Sequence, residues 1–203
     1  MLNFNTVSPV YDLLARMVFG KTLEKAKISQ LGSISDGQTI LFIGGGTGAT
    51  LNYLNGHFNK LKVDYVEMSS GMIKKAKMRS TGNLSIDFHN LPIEDFEGHD
   101  YDIVLTEFFF DLFSTEEIDK LVLHISNKLG PDGLWIDTDF RNTSNILHKT
   151  LMAATYMFFR MMVNLKVKRL VDHTDLLGKN KLTVKSEKIF RDGLVTSRLI
   201  IRN

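Results

Sequence analysis

The sequence predicts an α/β fold: a mostly parallel sheet with helices on both faces, closed at its C-terminal end by an antiparallel hairpin. Three observations predict it. Short apolar strands recur at 40–43, 61–66, 84–88, 101–105 and 134–140, separated by stretches with helical apolar spacing, the rhythm of βαβ units. The first of these strands, Ile40–Ile43, runs into Gly44-Gly45-Gly46-Thr47-Gly48, after which Thr50-Leu51-Asn52-Tyr53-Leu54 takes up helical spacing. Near the C-terminus, Lys181–Phe190 and Leu194–Ile201 alternate around Arg191-Asp192-Gly193, a hairpin turn signal.

The chain has 203 residues, enough for one α/β domain with a sizeable core, so residues 1–203 are expected to form a single domain. With 43% hydrophobic and 24% charged residues the composition is that of a globular protein. There is no cysteine, which excludes disulfides, cysteine metal sites and a thiol nucleophile. The start, Met1-Leu2-Asn3-Phe4-Asn5, lacks the basic and apolar regions of a secretory signal, and no window reaches about eighteen uncharged apolar residues. A cytoplasmic protein without a membrane span is expected. The net charge of +2 hides an asymmetry: residues 141–203 hold 13 Lys and Arg against 4 Asp and Glu. Because Lys179, Lys181, Lys185 and Lys188 fall in a turn and on an alternating strand, this reads as a solvated face rather than a nucleic-acid surface. The six histidines show no ligand spacing such as His-x-x-x-His, and no metal is expected.

A strand, a glycine turn and a helix start together make a ligand cradle. Glycine lets a ligand approach the main chain, and the first-turn amides of the helix point at whatever sits there. The next strand, Leu61–Val66, ends in Glu67, nineteen residues after Gly48. In a parallel βαβ unit this sets a carboxylate beside the glycine turn, where it can accept both hydroxyls of a ribose. Gly44-x-Gly46-x-x-Ala49 fits a dinucleotide fingerprint, whereas Gly44-x-Gly46-x-Gly48 fits the turn of enzymes that use S-adenosylmethionine (AdoMet). The following residues decide between them. Val66-Glu67-Met68-Ser69-Ser70-Gly71-Met72 resembles the acidic-x-Ser-x-x-Met segment of class I AdoMet-dependent methyltransferases. The resemblance implies a Rossmann-like seven-stranded sheet with AdoMet as cofactor. It places Gly44, Gly45, Gly46, Thr47, Gly48 and Met68 at the cofactor, Glu67 at the ribose, and Met72 near the adenine.

The resemblance continues along the chain. Phe4-Asn5-Thr6-Val7-Ser8-Pro9-Val10-Tyr11-Asp12 resembles the opening of ubiquinone/menaquinone C-methyltransferases and their small-molecule relatives, in which the tyrosine lies over the cofactor as part of a lid. Residues 1–30 are therefore expected to form a helical lid of two helices, with Gly20 as a stop. After the third strand, Pro92 stands where the family places an adenine-binding aspartate. Adenine is then expected to depend on the Ile93 amide and apolar packing, with Asn90 or Glu94 as substitutes. The fourth strand, Tyr101–Leu105, should lie beside the first and run into Thr106-Glu107-Phe108-Phe109-Phe110-Asp111-Leu112. In a doubly wound sheet the carboxyl ends of the strands face the ligand crevice. Thr106 is thus expected at the cofactor, Glu107 and Asp111 at the meeting point of cofactor and substrate, and at least one of the three phenylalanines at the substrate.

Ser114 with Glu117 three residues on is a capping-box signature for the next helix. That helix is expected to end in a turn at Leu129-Gly130-Pro131-Asp132-Gly133, before a fifth strand over Leu134–Phe140 that carries Asp139 to the crevice. Asn145–Leu165 reads as a long helix rich in Met and Phe, an adaptable apolar surface that makes 141–180 a helical cover for the substrate. Its apolar residues continue around much of the helix, which leaves a peripheral membrane contact or a homodimer contact open.

The expected reaction is transfer of the AdoMet methyl group to a small, apolar or aromatic acceptor. Asp111 is the first candidate for a general base, followed by Glu107, Asp139 and His148. Two alternatives stand beside it: an AdoMet-binding module without turnover, and an NAD(P)-dependent oxidoreductase, for which the chain lacks room for a further parallel half and a substrate domain.

Overall fold

The computed structural model describes residues 16–80, 82, 84–163, 170–171 and 173–203. Seven strands form one sheet in the order β3-β2-β1-β4-β5-β7-β6. They are β1 (Thr39–Ile43), β2 (Lys62–Val66), β3 (Ser85–His89), β4 (Tyr101–Glu107), β5 (Leu129–Phe140), β6 (Leu182–Phe190) and β7 (Val195–Arg202). The first five pair in parallel, and β7 runs antiparallel to both β5 and β6. This is the expected Rossmann-like, seven-stranded sheet with its C-terminal hairpin. The order reverses at β1, whose neighbours are β2 and β4. The crevice of such a sheet opens there, at the carboxyl ends of the strands.

Around the sheet lie the α-helices α1 (Thr22–Ile28), α2 (Ala49–His57), α3 (Ser70–Arg79), α4 (Thr115–Ser126), α5 (Ile146–Val163) and α6 (Thr174–Lys179), with short 3₁₀ turns between elements. The strands' period of two explains why the sheet is covered on both faces. Ile40 and Phe42 of β1 join Leu51, Leu54 and Ala76 of α2 and α3 in one apolar cluster. Leu41 and Ile43, one residue out of phase, join Ile118, Leu121, Val122 and Ile125 of α4 on the other side. A third cluster caps the crevice end of the hairpin, where Phe140, Leu194 and Val195 meet Phe19, Met152 and Tyr156.

Local signals act where they were expected. Gly20 has φ +59° and ends the helical turn over 16–19. Ser114 and Glu117 form the complete capping box of α4. One boundary is corrected: the chain does not turn through 129–133 after α4. The helix ends at Ser126, and β5 begins at Leu129, opposite Tyr101. The extra residues form an irregularity between the Tyr101 and Ile103 pairings, and Gly133 makes it fit, since a Cβ there would lie 2.8 Å from the Tyr101 carbonyl. No helix among the described residues is long and apolar enough to cross a membrane.

Candidate active site

The glycine turn sits at the point of sheet reversal. The Gly44 amide donates to the Val66 carbonyl at 2.9 Å, which ties the exit of β1 to the exit of β2. Gly46 has φ +60° and open space where a Cβ would stand, so this stretch of main chain is bare toward the crevice. Gly44 is different: a Cβ there would come within 2.7 Å of the Phe109 ring, which lies against the turn.

Glu67 follows β2 directly, with its carboxylate beside the turn. Its Oε2 accepts from the Gly46 amide at 3.2 Å and its Oε1 from the Ser69 amide at 2.7 Å. Burial raises its pKa, while the amides of Ser69, Gly46 and Met68 hold it down. Ser69 caps α3 by accepting from the Met72 amide, and Met72 is buried at the start of that helix. The Asn90 side chain donates to the Glu67 and Met68 carbonyls, both at 2.9 Å. It thus fixes the loop that carries the acid. Ile93 is buried and opens a short 3₁₀ turn, Ile93–Asp95, leaving its amide outside any intrahelical bond. These residues form the wall next to the glycine turn. The chemistry of this wall suits a nucleoside: bare main chain at Gly46, an oriented carboxylate at Glu67 and apolar side chains at Met72 and Ile93.

Several residues that shape this wall carry no local sequence signal. Tyr65 donates its hydroxyl to the Gly46 carbonyl at 2.9 Å. Arg79, at the far end of α3, donates Nη1 to both the carbonyl and the hydroxyl of Thr47, at 3.0 and 2.8 Å. The Thr47 side chain is therefore held by α3. Thr106, expected at the cofactor, is buried within the sheet; its hydroxyl donates to Asp137 at 2.9 Å and accepts from the Trp135 indole at 2.8 Å.

Glu107 ends β4 and is buried. Its Oε1 accepts from the Thr50 hydroxyl at 2.6 Å and its Oε2 pairs with Lys27 at 2.8 Å. One oxygen is hydrogen-bonded and the other, without a hydrogen bond, is ion-paired, so the residue braces α1 and α2 against the strand. The next residue, Phe108, has φ +51°, which for a bulky side chain costs about 1–3 kcal/mol. Its amide is held by the Thr138 carbonyl at 2.7 Å and its ring by Phe140 at a centroid distance of 4.8 Å. The chain thereby turns sharply over the crevice, and the three phenylalanines separate. Phe108 packs on Phe140, Phe109 on the glycine turn, and Phe110 in the core against Trp135 and His173.

Asp111 and Asp139 meet where this turn passes the end of β5. Asp139 is buried; its two oxygens accept from the Phe110 and Phe140 amides, at 2.9 and 2.7 Å. Asp111 keeps Oδ1 buried without a hydrogen-bond partner. Burial pushes the Asp111 carboxyl up to about 7. Burial first, and then the neighbouring carboxylates of Asp111 and Asp137, push Asp139 well above the ordinary range. The ionised form of each carboxyl group is thus disfavoured. The Tyr156 hydroxyl, from α5, donates to the Asp111 carbonyl at 3.3 Å. Tyr11 lies outside the described residues, as do the side chains of Phe158, Phe159, Met161 and Met162. His148 lies on α5, buried, and its Nδ1 is 3.4 Å from the Thr143 hydroxyl.

Residues 41–135, from β1 into β5, match a family model described as a methyltransferase domain. Solved structures share the fold over nearly the whole chain. The mitomycin 7-O-methyltransferase MmcR is similar at TM-score 0.67 and 18% identity, over 99% of this chain and 61% of that one. This chain thus spans about three fifths of that protein. Magnesium protoporphyrin IX methyltransferase (ChlM) from Synechocystis PCC 6803, with bound S-adenosylhomocysteine, gives TM-score 0.70 and 17% identity over 98% and 96%. A chain from the complex between the Haloferax volcanii Trm112 methyltransferase activator and a methyltransferase gives 0.73 and 14%, over 99% and 98%. No curated protein matches the chain in sequence. The fold is that of class I methyltransferases.

Proposed function

We propose that the protein transfers the methyl group of AdoMet to a small, largely apolar or aromatic acceptor. The observation that carries this reading is the Glu67 carboxylate, fixed by the Gly46 and Ser69 amides at the point of sheet reversal. Glu67 is positioned to accept the ribose hydroxyls, Gly44–Gly48 to pass the rest of the cofactor close to the main chain, and Met68, Met72, Asn90 and Ile93 to line the adenine side. When bound, AdoMet supplies an activated methyl group, delivered to a nucleophile by in-line displacement.

The chain's own residues orient the acceptor, exclude water and take up a proton. Phe108 and Phe109 form the apolar floor of the crevice, and α5 supplies its cover through Met152 and Tyr156. Asp111 is the base: its Oδ1 is unpartnered, and its raised pKa suits proton uptake near neutrality. Glu107 braces the site from behind. Orientation of the reactants can supply about 7–11 kcal/mol of barrier lowering, more than any single proton transfer.

Calorimetric titration with AdoMet, S-adenosylhomocysteine and NAD, on the wild type and on Glu67→Ala and Glu67→Gln, tests this reading. Both adenosyl ligands should bind, and either substitution should weaken them by about tenfold or more, the worth of charge-assisted hydrogen bonds. Binding of NAD alone, or affinity for S-adenosylhomocysteine indifferent to position 67, would overturn it.

A further inference from the structure

A cleft of about 170 Å³ opens at the carboxyl end of β5, between that strand's exit and α5. Its two sides differ in chemistry. Met152, Tyr156 and Leu170 form an apolar wall, whereas Arg141, His148 and Lys149 bring cationic and titratable nitrogen to the other side. Among the described residues no carboxylate lines the cleft. Arg141 carries five N–H donors and, among the described residues, makes one long ion pair, 3.7 Å to Glu187 Oε2. The other oxygen of Glu187 is occupied by Arg198 and Thr196, at 3.1 and 2.9 Å. His148 is buried and, among the described residues, its Nδ1 makes one long contact, to the hydroxyl of Thr143, which itself lines the cleft.

The cleft adjoins the candidate active site. Arg141 lies two residues beyond Asp139, and Tyr156, which forms part of the apolar wall, donates its hydroxyl to the Asp111 carbonyl. Ligand pockets usually enclose about 300–1,000 Å³. The present volume therefore suits one end of an acceptor whose other end lies at Asp111. The guanidinium fork matches the paired oxygens of a carboxylate or phosphate, and Lys149 adds a point charge.

We propose that the methyl acceptor carries an oxyanionic group, a carboxylate or phosphate, held by Arg141, His148 and Lys149 while Met152, Tyr156 and Leu170 pack against its carbon skeleton. This rests on the AdoMet-dependent reading above and narrows its acceptor from apolar to amphiphilic. The site selects against neutral analogues because its guanidinium and ammonium groups gain little from them.

The test is calorimetry on protein first saturated with S-adenosylhomocysteine, using matched pairs: benzoate and benzamide, octanoate and octanamide, phenyl phosphate and phenol. At least one anion should bind about tenfold more tightly than its neutral partner. The double variant R141Q/K149Q should bring the pair within about twofold while its affinity for S-adenosylhomocysteine stays that of the wild type. Carboxylates outbinding phenyl phosphate, or the reverse, identifies the oxyanion. The proposal is overturned if no anion outbinds its neutral partner, or if the preference survives in the double variant. A wild type that fails to bind S-adenosylhomocysteine at all counts instead against the methyltransferase reading on which it rests.

Discussion

Asp111 shows how one carboxyl group acquires two opposing roles. Burial beside Asp139 raises its pKa from 3.8 to about 7, so folding favours its protonated form. The stability this contributes is present below the unfolded value and is lost as pH rises through about 7. The base, however, acts only after losing that proton, so turnover should rise over the same interval in which stability falls. Asp111→Asn keeps the shape and removes the titration. It should lower kcat by about 10²–10⁴ for an acceptor that must lose a proton. It should also flatten the fall of melting temperature between pH 5 and pH 8. A variant whose activity and pH profile match the wild type would remove Asp111 from the chemistry.

The elements around the site were legible in the sequence wherever a local rule decides them. The apolar runs of β1 and β4, the capping box of α4 and the hairpin turn all have nearest-neighbour causes. The start of β5 was not, because Gly130-Pro131-Asp132-Gly133 has the composition of a turn and is pulled into the sheet by pairing of Leu129 with Tyr101, a tertiary contact. The same division holds within α2. Gly48, at its N-terminus, has φ +74°, and a Cβ there would lie 2.8 Å from the Ala76 Cβ of α3 and 2.9 Å from its Cα. Gly56, in its last turn, has open space around the same position. Gly48→Ala should therefore destabilise by about 1–3 kcal/mol, through backbone strain and overpacking. Gly56→Ala should stabilise by about 0.5–1 kcal/mol, through helix propensity. Denaturant unfolding of the two variants checks both signs. A Gly48→Ala protein as stable as the wild type would mean that α2 and α3 can separate, and that the cradle is less rigid than its packing implies.

At the scale of the molecule the sheet is joined to its crevice by buried charge that sequence patterns could not announce. The glycine turn and Glu67 are neighbours in a motif, but Asp137, His173 and Arg198 lie 36, 25 and 61 residues apart in their three pairings. They converge only once β5, β7 and the entry to α6 are assembled. His173 Nε2 and Arg198 Nη1 both donate to Asp137 Oδ2, at 2.9 and 3.1 Å, and all three residues are almost fully buried. Removing one partner from such a cluster leaves another charge unpaired, which costs about 3–5 kcal/mol. Burial alone would depress the His173 pKa, but the Asp137 carboxylate, with Asp139 behind it, raises it above its ordinary value. Burial alone would raise Asp137, but His173 and Arg198 outweigh it and hold the carboxyl low. The signs follow from linkage. The His173 contribution is complete below the unfolded histidine value of about 6.5 and is lost as pH rises through the higher folded value. The Asp137 contribution is complete above about 3.9 and is lost only as pH falls through its lowered folded value. The wild type should therefore melt at a higher temperature at pH 6 than at pH 9. His173→Gln should melt well below it at pH 6, with the gap narrowing as pH rises. Each kcal/mol recovered corresponds to about 2–4 °C in a chain of this size. A gap that stays constant from pH 6 to pH 9 would show that His173 is neutral in the folded protein and contributes by packing against Phe110, not by its charge.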